Sequence, residues 1–272
     1  MSGQLSYVYA VVPGAATASA RTALAGVRGV AGAPVTVVGA RTVSGAVSTV
    51  PGDEFSETAL RSRLEDLDWL EATARAHHLV VDTLAAHTTV LPLRLATVYR
   101  DDARVEEMLS DREQAFTALL DRLEGHVEWG VKVYAEAAPA QAAPSPASGG
   151  HGSPGASADE PDSGRAYLRR RRQQYQSRED VWRAAEAAVR RTEEQARGLA
   201  VDRARHRPQQ GDLAEGPGRN VANDAYLVPR RLADEFRERM RHAADDLPGV
   251  RVEVTGPWAP YSFTTLPEGA RR

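Results

Sequence analysis

Near the C-terminus, the stretch from Val252 to Phe263 leaves the backbone fewer choices than any other part of this chain. Val252 and Val254 alternate with Glu253 and Thr255, the period of a half-buried strand, and Gly256-Pro257 then supplies a turn signal. Pro257 and Pro260 each fix φ and lack an N–H, and the residues before them, Gly256 and Ala259, are steered away from helical geometry. The reading is a strand that stops abruptly and continues as a stiff extended arm. On the arm sit Trp258, Tyr261 and Phe263, three of the sixteen aromatic residues in the chain. Trp and Tyr are types that anchor partners at interfaces.

The chain has 272 residues, enough for two modest cores. It has no cysteine, which excludes disulfides and cysteine-ligated metal. The N-terminus lacks a basic region followed by an apolar run, and no segment approaches the roughly 18 apolar residues of a membrane span, so the expectation is a cytoplasmic protein. Charge is unevenly spread: residues 1–136 carry a net −6 and residues 165–272 a net +6. Either the halves attract each other, or the basic half meets an acidic partner. Between them, residues 137–164 are Ala, Pro, Gly and Ser with a few polar residues and nothing that could build a core, which predicts a disordered linker. The domain reading is therefore 1–136, a linker at 137–164, and 165–272.

Within the first part, Leu5 to Val12 is a continuous apolar run ending at Pro13-Gly14, a buried strand. Gly26, Gly29 and Gly32 precede a second strand, Val35 to Val38, and read as turn glycines, since a phosphate loop would follow a strand and open a helix. Val43 to Val50 adds a third strand. Ser56 is an N-cap for one long helix to about Ala86, with Leu60, Leu64, Leu67, Leu70, Val81 and Leu84 on its apolar side. His78 and Asp82 on it could form half a metal site, but no third ligand is suggested and metal binding is not expected. His87 suits a helix C-terminus. Val90 to Leu93 reads as a strand that Pro92 confines to an edge or bulge, and Arg94, in an apolar run, calls for an ion-pair partner. Asp101 to Glu124 reads as one amphipathic helix ended by Gly125, and Val127 to Tyr134 as an alternating strand. The order of elements points to an α+β sandwich with helices on one face of a mostly antiparallel sheet.

Beyond the linker, residues 165–206 have helical composition throughout, with a thin apolar stripe of Val181, Ala185, Ala188, Thr192, Ala196 and Leu199 suited to a neighbouring helix or a coiled coil. Arg169 to Arg172 is the one dense basic cluster. It reads as a solvated helix face, with a nucleic-acid-binding regulator as the alternative function. A strand from Asn220 to Pro229, a helix from Leu232 to about Asp246 and the terminal strand follow. No P-loop, dinucleotide fingerprint, nucleophile elbow or zinc pattern appears, so neither an enzyme nor a cofactor is expected.

Several of these stretches match one family. Gly256-Pro257-Trp258-x-Pro260-Tyr261-Ser262-Phe263 resembles the ending of the gas vesicle protein F/L family (GvpF/GvpL), accessory proteins of gas-filled buoyancy organelles. Tyr7-Val8-Tyr9-x-Val11, Glu128 to Tyr134, Ala166-Tyr167-Leu168-x-x-Arg171 and the Asn223 to Val228 segment are similar to that family too. So is His87-x-x-Val90-Leu91-Pro92-x-Arg94, although Leu95-Ala96 stands where the family usually has Phe-Gly. The resemblance implies two α+β domains, the second a ferredoxin-like variant with a long coiled-coil-like helix. It implies an accessory or minor structural role at the gas vesicle or in the cytoplasm. The implied partners are the principal shell protein (GvpA) and other accessory proteins, not nucleic acid or membrane. On this reading Trp258, Tyr261, Phe263 and Pro257 are candidate partner contacts, or else they close the end of the C-terminal core. Arg94 and Pro92 are candidate structural or interaction residues.

Overall fold

The computed structural model describes residues 3–39, 41–136, 160–208 and 218–265; most of the expected linker lies outside them. Strand β1 (Gln4–Pro13) is apolar on both faces and lies at the centre of the first sheet. On one side it pairs with β3 (Val43–Pro51), which pairs in turn with β2 (Thr36–Gly39). On the other side the short strands β4 (Leu91–Pro92) and β5 (Val98–Tyr99) pair with β1 one after the other. All these pairings are antiparallel. Pro92 thus sits at the sheet edge, buried and opposite Ala10, as a residue without an N–H requires.

Helices cover both faces of this sheet, not one. Tyr7, Tyr9 and Val12 pack with α1 (Thr17–Ala23), α2 (Gly52–Phe55) and α4 (Leu67–Ala85). Val8, Val11, Val43 and Val47 face the opposite way, towards α5 (Asp102–Asp111) and α6 (Glu113–Leu123). β1 has no polar side because it has no solvent side.

Two expected helices are each broken in two. Ser56 caps α3 (Glu57–Arg63), its hydroxyl accepting from the Ala59 N–H at 3.4 Å, but Asp66 opens a new N-terminus by accepting from the Trp69 N–H at 3.2 Å. The leucine periodicity runs across this corner without burying it, and Leu67 there is 76% exposed. The second break is at Arg112, whose φ of −110° and ψ of 13° separate α5 from α6. Asp101 caps α5 through the Arg104 N–H at 2.9 Å.

The second sheet has the order β7 (Asp202–His206), β8 (Arg219–Pro229), β6 (His126–Ala135), β9 (Val250–Trp258), all antiparallel. With α7 (Glu160–Ala196) and α8 (Ala233–Arg241), the chain order is β6-α7-β7-β8-α8-β9, the ferredoxin-like arrangement. β6, read from sequence as part of the first unit, is a central strand of the second. The long helix also ends ten residues earlier than its composition predicts. Gly198 takes a φ of 83° and the Ala196 carbonyl accepts from Leu199 and Ala200 at the terminus; Asp202 to His206 then pair with Leu227 to Asn223. A stretch of Arg and Ala without proline favours helix locally, and the ladder with β8 overrides it.

The stripe on α7 is realised against this sheet and α8 rather than in a coiled coil: Ala185, Ala188, Thr192 and Ala196 are buried, and Ala196 and Leu199 meet Val127, Trp129, Tyr226, Phe236 and Met240. The opposite face of β8 presents Ala225 and Leu227 to α6. The layers therefore run α1 and α4, first sheet, α5 and α6, second sheet, α7 and α8. No helix among the described residues is long and apolar enough to cross a membrane.

Two backbone positions give predictions of opposite sign. Gly256 has a φ of 127°, and a Cβ there would lie 2.8 Å from the Glu128 carbonyl oxygen; Gly256→Ala is expected to cost about 2–4 kcal/mol. Ala96 has a φ of 60°, in the left-handed region that disfavours a side chain, at the position where the resembled family carries glycine. Ala96→Gly is expected to stabilise by up to about 1 kcal/mol, the relief of strain exceeding the added freedom of the unfolded chain. Urea denaturation of the two variants measures both.

Candidate partner-binding site

After β9 the chain crosses Ala259 and Pro260 and makes a single 3-10 turn, Tyr261–Phe263. This short strap binds the two sheets together. Ala259 is buried with the cluster around Tyr7 and Tyr9 on the far side of the first sheet. Phe263 is 3% exposed and packs in the middle layer with Leu120, Leu123 and Leu227. Ser262 is held by the buried Glu128 of β6: its N–H donates to one carboxylate oxygen at 2.8 Å and its hydroxyl to the other at 2.7 Å. Burial pushes the Glu128 carboxyl up, and the two Ser262 hydrogen bonds oppose that shift.

Trp258, in register with Glu128 across the β6–β9 pair, is 40% exposed. Its ring centre lies 5.4 Å from that of His78 on α4. Tyr261 stacks on the same imidazole, with centres 5.9 Å apart and planes at 30°. His78 Nε2 lies 3.0 Å from Asp82 Oδ2, and burial raises the Asp82 carboxyl. Among the described residues no group of three potential ligands gathers here or elsewhere to hold a metal ion. Beneath, His77 is 3% exposed, its Nδ1 hydrogen-bonded at 2.9 Å to the Tyr7 hydroxyl, which accepts from the Ala96 N–H at 3.0 Å. Burial first, and His78 second, hold the His77 pKa at about 4.

Beside the strap lies a cleft of about 560 Å³ between the two units. Its floor is apolar, made by Val90, Leu123, Val127, Ala259 and Pro260, and Asp82, His87, His126, Arg230, Pro257 and Trp258 stand around it. Arg230 reaches across, its guanidinium donating to the Ala85 carbonyl at 3.0 Å. An apolar floor ringed by an aromatic residue and a few polar groups, at a junction between units, is suited to binding. Among the described residues, His87 and His126 in its wall bond through Nδ1 to the Thr83 and Glu124 carbonyls.

The candidates from sequence are thus separated by the fold. Pro257 and Trp258 line the cleft, Tyr261 is half-buried against α4, and Phe263 is core. Pro92 is buried in the first sheet. Arg94 is exposed, and among the described residues no carboxylate pairs with it; instead its carbonyl accepts from the N–H and hydroxyl of Thr97, which close the turn into β5. The expected ion pair is absent because the segment turns outward at Arg94 and does not bury it. Arg169, Arg171 and Arg172 are exposed on α7. Sequence reading singled out neither Glu128 nor Arg230. The signal for Glu128 was a carboxylate in a strand that proves to be central and buried on both faces.

Two outcomes are expected. Phe263→Ala costs about 3–5 kcal/mol and Trp258→Ala less than about 1 kcal/mol in urea denaturation. For His77, the folded pKa of about 4 lies below the ordinary 6.5, so the unfolded chain takes up the proton first as pH falls. Its contribution is complete above about pH 6.5 and is lost on the way down to about pH 4, roughly 3 kcal/mol in all. Denaturation at a series of pH values should show this slope in the native chain and not in His77→Gln. The comparison separates it from Asp82 and Glu128, whose raised pKa values act with the opposite sign.

The model of the family described as gas vesicle synthesis protein GvpL/GvpF matches residues 5–265. Gas vesicle protein L of a Streptomyces species is 45% identical over 243 residues, covering 89% of this chain and 88% of that protein. Among solved structures, the gas vesicle protein GvpF of an Anabaena species superposes with a TM-score of 0.64 at 15% identity, over 97% of this chain and 98% of that one. GvpF of Microcystis aeruginosa gives 0.60 at 18% identity, over 96% and 99%. At these identities the two structures speak for the fold alone.

Proposed function

The chain belongs to the GvpL/GvpF family of gas vesicle proteins, and we propose that it is a non-catalytic accessory protein of gas vesicle assembly that binds the principal shell protein (GvpA) and other vesicle proteins. The observation that carries this reading is the position of Trp258, 40% exposed beside a cleft with an apolar floor and a polar rim that both units build. A large aromatic ring left half-exposed at the mouth of a cleft is unusual for a core residue and ordinary for an interface anchor. Tyr261 and Phe263 then act as the anchor's mounting: they fix the strap so that Trp258 and Pro257 are presented without an ordering cost at binding. A shell protein with an apolar side needs a partner that covers it before assembly, and the Trp258 ring with the apolar floor beside it offers such a surface.

The test is co-expression of the tagged chain with the principal shell protein, followed by pull-down, with Trp258→Ala alongside. Retention by the native chain and loss in a Trp258→Ala variant of unchanged melting temperature is the expected result. Failure of the native chain to retain the shell protein, with both folded, would move the partner to another accessory protein. A large fall in melting temperature in the variant would assign Trp258 to the core instead.

A further inference from the structure

The second sheet ends in two unpaired edges, β7 and β9, and they differ in a way that bears on self-association. β9 is hydrogen-bonded on one side to β6, with Lys132 opposite Glu253, Val133 opposite Val252 and Tyr134 opposite Arg251. On its outer side it has no strand neighbour, and among the described residues no backbone hydrogen bond reaches Arg251 to Thr255 from that side. Its valines pack against the helix-side clusters. Arg251 and Glu253 share the other face: the Arg251 guanidinium lies 4.1 Å from the Tyr134 ring centre and 3.0 Å from both Glu136 and Glu253, and Lys132 lies 3.7 Å from Glu253.

Around Val252 the strand reads Val250-Arg251-Val252-Glu253-Val254, which is complementary to itself when reversed. Antiparallel pairing of two copies about Val252 sets Arg251 against the partner's Glu253 and Glu253 against the partner's Arg251. It also sets each Val250 against the partner's Val254. Charges would then alternate across the joined sheet, from Lys132 through Glu253 to the partner's Arg251. Opposite charges facing across strands stabilise the pair and like charges destabilise it. β7, Asp202-Arg203-Ala204-Arg205-His206, behaves in the contrary way, because the same operation about Ala204 sets Arg203 against the partner's Arg205. Edges guarded by repeated like charge resist pairing.

We propose that β9 is a self-recognition edge, where a second copy of this chain adds its own β9 across a two-fold axis and makes one continuous eight-stranded sheet. A two-fold interface must be complementary to itself, which β9 is and β7 is not. Two strands joined edge to edge bury less than a standard interface, so the dimer is weak and concentration-dependent.

Sedimentation velocity of the full chain over a range of concentrations tests this, with Arg251→Glu, Glu253→Arg and the double exchange, each confirmed as folded by its melting curve. The native chain is expected to show a monomer–dimer equilibrium. Either single inversion opposes like charges and weakens it about tenfold or more, and the double exchange restores it. Hydrogen exchange of the native chain is the second measurement, independent of whether the variants fold: β9 amides become more protected as concentration rises. A native chain that stays monomeric at its highest soluble concentration overturns the proposal. So does self-association that the single inversions leave unchanged, or β9 exchange that does not respond to concentration.

Discussion

Helix α6 buries a single apolar stripe in the seam where the two sheets meet, and both sheets depend on that stripe. Phe116, Leu119, Leu120 and Leu123 fill the space between Val8 and Val11 of β1 and Ala225 and Leu227 of β8, and Phe263 enters the same cluster from the strap. Each of the larger side chains contributes of order 1.5–3 kcal/mol by leaving water. Without this layer both sheets would expose an apolar face. The chain consequently has two sheets but no clean division into two cores, and the cleft beside Trp258 adjoins the shared layer, with Leu123 of α6 in its floor.

Strands whose evidence lies within their own sequence were legible. Leu5 to Val12, Val43 to Val50 and Val127 to Tyr134 alternate or run apolar, and each is found close to its expected bounds, whereas the terminal strand, expected to stop at Gly256-Pro257, continues through them to Trp258, which pairs with Glu128. Local capping was equally readable at Ser56 and at Gly125. What could not be read was allegiance. Nothing in the alternation of β6 says which sheet it joins, because its partners β8 and β9 lie some ninety residues or more away. β7 was hidden for a related reason: its Arg and Ala composition satisfies a helix, and only β8 beside it makes the extended form better. The breaks near Asp66 and at Arg112 escaped because apolar periodicity continued through them.

The candidate site was legible as an arm but not as an arrangement. Proline spacing and aromatic content marked 257–263, while the partners that give each ring its task come from elsewhere: His78 and Asp82 from α4, Glu128 from β6. One strap holds three rings in three environments, and only the contacts decide which is free to meet another molecule. The charge imbalance between the two ends of the chain is likewise not expressed as one end attracting the other. Of the three ion pairs that cross it among the described residues, Arg122 with Asp202 and Lys132 with Glu253 take their cation from the acidic part and their carboxylate from the basic part, and Arg251 with Glu136 runs the other way.

The place of β6 also changes what the segment 137–159 divides. It departs after Glu136 and the described chain resumes at Glu160, so it interrupts the ferredoxin-like unit between its first strand and first helix. Cleavage there would leave a leading fragment carrying a strand whose two neighbours both belong to the trailing fragment. The pieces would be halves of a complementation pair, each presenting the other with an open ladder and an unfilled core, and a nicked chain would run as one particle until it was denatured.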